Sequence, residues 1–255
     1  TTKASDIMKA VILKEKGRIE IEDIELPKIP GPSKKVKIEA CGICGSDLRY
    51  FKGDNPWAIQ TLGFNMDNHP NIVIGHEAGG IIEEDGKEQL VFPWTFKGCL
   101  KCDSCLTGDE HICPDMQHIG HGAGWGEMDY YPGTMAEYCE LWADRVYPVA
   151  DHLTPEEVAM VEPTSVAVHG METADLSAGS SIAIIGMGSI GMLLAQVARN
   201  YGAATIFGSD QRKMPLDKAK KLGVDRPVLV SEEDLKEVVF DETEDEGVDV
   251  VFDTV

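Results

Sequence analysis

The chain has 255 residues, is 43% hydrophobic with a mean hydropathy of −0.15, and carries a formal net charge of −21 with a pI near 4.6. That is enough chain for one large or two ordinary domains with a real core, and its acidity excludes nucleic acid and anionic membranes, which need basic partners. No apolar run approaches the roughly 20 residues of a membrane helix, residues 1–7 lack the layout of a signal peptide, and seven cysteines in a chain expected to be cytoplasmic favour metal ligation over disulfides.

Residues 8–13, 19–24 and 35–40 alternate as antiparallel strands do, with Pro27, Pro30, Gly31 and Pro32 breaking the run between the second and third. The third leads into Cys41-Gly-Ile-Cys44-Gly-Ser46-Asp47, two thiols, a hydroxyl and a carboxylate on a glycine-turned backbone. Alone, a C-x-x-C reads equally as a redox pair, a zinc knuckle or part of a catalytic site. Residues 51–70 read as a polar loop and 72–74 as a strand ending in Gly75-His76-Glu77. Residues 98–113 form a small cysteine-dense lobe. Residues 118–132, rich in glycine and aromatics, read as an ordered loop whose Trp125, Tyr130 and Tyr131 either line a cleft or pack the loop itself. Strand character returns at 135–141 and 146–149, where Cys139 reads as core.

From Thr154-Pro155-Glu156-Glu157, a helix start with proline in the first turn and acids behind it, the style changes. Helical spacing runs to 171. Residues 181–185 are a short apolar strand, followed by a glycine-rich turn and a helix to about 200. Strands at 205–208 and 248–253 and a helix at 216–222 capped by Gly223 complete an alternation that implies a parallel sheet. Two domains follow: a mostly β domain over 1–165 and a βαβ domain over 166–255.

Three constellations carry chemistry. Cys99, Cys102, Cys105 and Cys113 place four thiolates within fifteen residues, a set that closes a tetrahedral zinc site with no open position and is therefore structural. Cys44, His76, Glu77 and the Glu162 of Glu162-Pro163 make a mixed sulfur, nitrogen and oxygen set; three protein ligands with one open position is the composition of a catalytic zinc. Gly186-Met-Gly188-Ser189-Ile190-Gly191 lies between a strand and a helix, where the glycines allow a tight turn and the helix N-terminus meets a pyrophosphate. Asp210, 19 residues past Gly191, is placed to bind the ribose hydroxyls and favours NAD; Arg212 leaves NADP possible.

With these motifs in one order, the chain resembles the zinc-dependent medium-chain dehydrogenase/reductase superfamily, and within it the polyol, sorbitol and sugar dehydrogenase branch. The resemblance runs from Met8 to the end. It implies an α/β plus β architecture: a GroES-like β domain carrying catalytic and structural zinc sites, then a Rossmann doubly wound parallel sheet, incomplete at its C-terminus, with the active site between the domains. It also implies two zinc ions per chain, with Cys44 and His76 on the catalytic one and Glu77 or Glu162 as third ligand, directly or through water. Ser46 would take the substrate proton, Asp47 would support the ligands, and Tyr50 would stand near substrate, leaving Cys41 a bystander. The activity implied is hydride transfer between a polyol, sugar or other secondary alcohol and NAD(P), in a homodimer or homotetramer when full length. A threonine-type or amino-alcohol dehydrogenase and a non-catalytic zinc- and nucleotide-binding fragment are the alternatives. Three departures stand out: Arg49 where many members have a relay histidine, a short connection at 83–90, and an end near 248–255 where relatives continue for about a hundred residues.

Overall fold

The computed structural model describes residues 7–255, apart from the side chain of Thr61; the reading of residues 1–7 falls almost wholly outside the described residues. The chain divides into two compact units between Val161 and Glu162.

The first unit begins with β1 (Ile7–Glu15) and β2 (Arg18–Glu25), an antiparallel hairpin. Then come β3 (Ser33–Cys41), α1 (Gly45–Lys52), α2 (Pro56–Leu62), β4 (Ile72–Val73), β5 (Ala78–Glu84), β6 (Lys87–Pro93), β7 (Phe96–Lys97), α3 (Asp103–Thr107), β8 (Gln117–His118), β9 (Tyr138–Trp142), β10 (Val146–Pro148) and α4 (Pro155–Ala159). Strands β2-β1-β4 form one sheet and β10-β6-β5-β3-β9 a second, both antiparallel, while β7 and β8 pair by themselves. Alternation sends Met8, Ala10 and Ile12 inward with Ile24 and Val73, and sends Val36 onto Ile82, Val91, Cys139 and Leu141. The short connection between β5 and β6 is a two-residue turn at Asp85-Gly86, both at positive φ, the geometry that matches the twist of a tight hairpin.

Residues 51–70 are not the polar loop expected. Helix α1 runs to Lys52 and α2 occupies Pro56–Leu62. The signals were present as caps rather than as apolar period. Gly53 ends α1 in the left-handed conformation, Asn55 accepts a hydrogen bond from the Ala58 N–H, and Pro56 fills the first turn of α2. Likewise α3 gives the cysteine lobe one short turn of helix.

The second unit opens with α5 (Val161–Thr173), which starts at the boundary, and continues through β11 (Ser181–Ile185), α6 (Ser189–Asn200), β12 (Thr205–Asp210), α7 (Lys213–Lys221), β13 (Arg226–Leu229), α8 (Leu235–Glu242) and β14 (Val250–Asp253). The four strands are parallel in the order β13-β12-β11-β14. Ile182, Ile184, Ile206, Leu194, Ala195 and Ala198 pack as its core with Met171 and Met187. No strong local pattern marks β13 and α8, since one is a four-residue strand opened by Arg226 and Pro227 and the other is half charged. Among the described residues no helix is long and apolar enough to cross a membrane.

Candidate active site and metal centres

The bend between β3 and α1 places Cys44 at the N-terminus of α1, and the turn after β4 presents His76 and Glu77. The ligand atoms of Cys44, His76 and Glu77 lie within 4.8 Å of one another. Zinc ligands at roughly 2.0–2.3 Å sit roughly 3.3–3.8 Å apart on a tetrahedron, so small side-chain movements close this set on an ion. Gly42 makes the approach possible: a Cβ there would lie 2.2 Å from Glu77 Oε2, and the Gly42 N–H donates to the Glu77 carbonyl at 2.7 Å.

Asp47 ties the two halves of the site together. Its carboxylate accepts from the Cys44 N–H (2.8 Å) and the Gly75 N–H (3.2 Å), and one oxygen lies 4.0 Å from His76 Nδ1. At 3% exposure its burial pushes the carboxyl up, opposed by His76 and by the two N–H donors. Ser46 Oγ is buried with no hydrogen-bond partner among the described residues. A thiol, an imidazole and a carboxylate converging at one point fit a zinc ion, and an orphaned hydroxyl two residues from one of them fits an alcohol's partner.

Cys41 turns away, its sulfur 3.2 Å from Thr134 Oγ1 and its thiol pushed up to about 11, chiefly by burial. Arg49 is half-exposed with Nε 3.5 Å from Asp54, so the guanidinium belongs to a surface pair rather than to a proton path. Tyr50 is buried, its hydroxyl donating to Asn55 Oδ1 at 3.3 Å and its ring 4.7 Å from that of His121. Tyr131 donates to the Gly126 carbonyl within the loop, while Tyr130 donates to Glu22 on β2 and Trp125 stacks on Trp142 at the end of β9. Glu162 stands in the first turn of α5, in the second unit; the converging set is Cys44, His76 and Glu77.

Two histidines that the sequence reading passed over adjoin the set. His118 and His121 stack at 4.1 Å, and both rings stand edge-on to His76, at 5.5 and 5.3 Å. Burial pushes both imidazoles down, His118 to about 3. Only their spacing within the glycine-rich loop marks them in sequence, and that spacing has no period to read.

In the lobe, Cys99, Cys102, Cys105 and Cys113 bring their sulfurs within 4.8 Å of one another. Backbone N–H groups of Cys99 and Cys102 point at the sulfurs of Cys113 and Cys99, an arrangement that stabilises thiolates. The lobe is clamped by Glu110, which accepts from the Gly98 N–H (2.6 Å) and from Arg145 through both oxygens (2.6 and 2.8 Å). Both side chains are under a fifth exposed. Glu110→Ala strands the guanidinium, a change worth about 3–5 kcal/mol, and should speed zinc loss to a colorimetric chelator severalfold; an unchanged release rate would count against the clamp.

In the second unit, Gly186 follows β11, Gly188 caps α6, and Ser189, Ile190 and Gly191 form its first turn. A Cβ on Gly191 would lie 2.0 Å from the Gly186 carbonyl oxygen, so the turn closes only without one. Among the described residues no side chain caps α6, leaving its first N–H groups for an anion. Asp210 ends β12 and accepts from the Met187 N–H (3.1 Å) and the Arg212 N–H (2.8 Å), while the exposed Arg212 side chain lies 3.6 Å from it.

Residues 33–151 match the family described as alcohol dehydrogenase GroES-like domain, and residues 189–255 match the family described as zinc-binding dehydrogenase. A sorbitol dehydrogenase of Bacillus subtilis is 32% identical over 254 residues, covering 97% of this chain and 68% of that protein. The chain belongs to the zinc-binding alcohol dehydrogenase family. An L-threonine 3-dehydrogenase of Bacillus velezensis, also 32% identical, covers 96% of the chain and is itself covered to 68%. Among solved structures, an alcohol dehydrogenase from Thermus sp. ATN1 superposes with a TM-score of 0.82 at 27% identity, over 97% of this chain and 70% of that one. A protein from Sinorhizobium meliloti 1021, solved bound to NADP, does so with 0.84 at 29% identity, over 98% and 70%. The chain thus spans about two thirds of the length of these members of the family.

Proposed function

We propose that this zinc-binding dehydrogenase moves a hydride between a polyol or other secondary alcohol and a nicotinamide dinucleotide. The observation that carries the reading is the convergence of Cys44, His76 and Glu77, with the Ser46 hydroxyl, two residues on from Cys44, buried and unpartnered among the described residues. Cys44, His76 and Glu77 hold one zinc, and the four cysteines of the lobe hold a second. When bound by Cys44, His76 and Glu77, zinc would supply Lewis-acid polarisation of an alcohol oxygen. Ser46 Oγ accepts the hydroxyl proton as it passes its own on to water or to the cofactor ribose. Asp47 fixes the backbone of both ligand segments, and so the geometry on which positioning depends. The glycine turn and the N-terminus of α6 take the pyrophosphate, and Asp210 the ribose hydroxyls. The seven free thiols support a reducing, cytoplasmic setting.

A polyol substrate rests on the sorbitol dehydrogenase likeness. A screen of polyols, diols, aldoses and L-threonine with NAD and NADP, read by absorbance of the reduced nucleotide, tests it. Turnover of polyols above the rest is expected; turnover of L-threonine alone, or of nothing, overturns it. Asp210→Ala should weaken NAD and improve the NADP:NAD ratio about tenfold or more, as loss of one charge repulsion of about 1.4 kcal/mol implies. An unchanged ratio would remove Asp210 from the ribose site.

A further inference from the structure

We infer that His121 is a specificity residue that hydrogen-bonds a second hydroxyl of the substrate, next to the one that reacts, so that the site selects vicinal diols and polyols over simple alcohols. The inference deepens the proposed alcohol dehydrogenase reading and rests on it.

His121 is 7% exposed, and both of its ring nitrogens are buried without a hydrogen-bond partner among the described residues. Buried imidazole nitrogens are ordinarily satisfied, since each orphan forfeits a desolvated hydrogen bond. A neutral imidazole offers one donor and one acceptor, and a hydroxyl can answer either nitrogen. A carboxylate could answer only the donor and would leave the acceptor unpaired.

The ring is held in place rather than left loose. It stacks on His118 at an angle of 14°, meets the Tyr50 ring at 4.7 Å and stands edge-on to His76 at 5.3 Å. His118 Nδ1 is 2.6 Å from the Ile119 carbonyl oxygen, which assigns its proton to that nitrogen and fixes the ring beneath His121. Tyr50 is held in turn by Asn55. A group packed on three sides by rigid rings, with unanswered polar atoms, is pre-organised for a ligand rather than for the fold. Its neighbour His76 belongs to the converging set, so a hydroxyl answering His121 lies one or two carbons from an oxygen held there. A site built to hydrogen-bond a hydroxyl discriminates strongly against the analogue that lacks it, because its polar atoms are then left unpaired.

The test compares butane-2,3-diol with butan-2-ol, which share a skeleton and differ by one hydroxyl, on the full-length holoenzyme as wild type, His121→Phe and His121→Gln. The phenylalanine variant should lose about 10–100-fold more kcat/KM on the diol than on the mono-alcohol, the loss that one unpaired group produces. The deficit should sit mainly in KM, and the glutamine variant should recover part of it. Equal losses on the two alcohols in both variants overturn the inference; if the phenylalanine variant does not fold, the glutamine variant decides by the same ratio. Imidazole NMR of histidine-labelled protein supplies a readout independent of turnover. The His121 resonances should shift with butane-2,3-diol and not with butan-2-ol, and absence of that difference overturns the assignment. If the wild type oxidises neither alcohol, the broader functional reading still stands or falls by the substrate screen, and the NMR comparison alone decides whether His121 takes a diol.

Discussion

Cys44→Ser abolishes alcohol oxidation and leaves NAD binding in place. Serine keeps the size and turn geometry at the start of α1, where the backbone N–H donates to Asp47, so the local fold has little reason to change. What is lost is a soft thiolate, one of three groups that converge at this point among the described residues. Substituting a group that merely supports a metal ligand costs roughly 10–100-fold; removing a ligand should cost at least about a hundredfold in kcat. The glycine turn, the N-terminus of α6 and Asp210 all belong to the other unit, so the nucleotide dissociation constant, followed by calorimetry, should move less than about threefold. Turnover that survives in this variant would remove Cys44 from the chemistry. Turnover and NAD binding lost together would instead mean that the substitution reaches the second unit.

How far the sequence could be read follows from where each kind of information is written. The alternating strands, the lobe of four cysteines and the glycine turn are local patterns, and local spacing is what a sequence displays. Helices α1 and α2 are equally local, yet they are marked by Gly53, Asn55, Pro56 and Gly63 at their ends rather than by an apolar stripe, and a search for period passes them by. The contacts that complete the site are of another kind. Gly42 against Glu77, Asp47 against Gly75 and His121 against Tyr50 join residues from 28 to 71 positions apart, and no spacing rule reaches that far. Arg49 shows the same limit from the other side. It stands where many members have a relay histidine, and only the neighbouring Asp54, brought close by the turn after α1, shows it to be in a surface pair. Chain order therefore identified which residue types the site would need, while the packing of β3, β4 and the loop after the lobe determined which of them meet.

Cys102→Ser should have the largest effect on stability, and the reason lies in how little else holds its lobe. Helix α3 is five residues long, far below the length at which a helix stands alone, and Leu100, Leu106 and Ile112 are more than half exposed. Between Cys99 and Cys113 only Cys113 itself is buried apolar core, so burial contributes little and the Glu110–Arg145 clamp holds one side only. A four-thiolate zinc site contributes an apparent folding free energy on the order of 10–16 kcal/mol in small zinc domains. Loss of even about 5 kcal/mol of it in a chain of this size corresponds to a fall in Tm of about 10–20 °C. Zinc content measured by atomic absorption should drop by one ion per chain in Cys102→Ser and by one in Cys44→Ser, with a large fall in Tm in the first variant only. The double variant should then hold almost none. Should Cys102→Ser keep both its zinc and its Tm, the lobe must be held by contacts other than its four sulfurs, and the division into a structural and a catalytic ion would have to be abandoned.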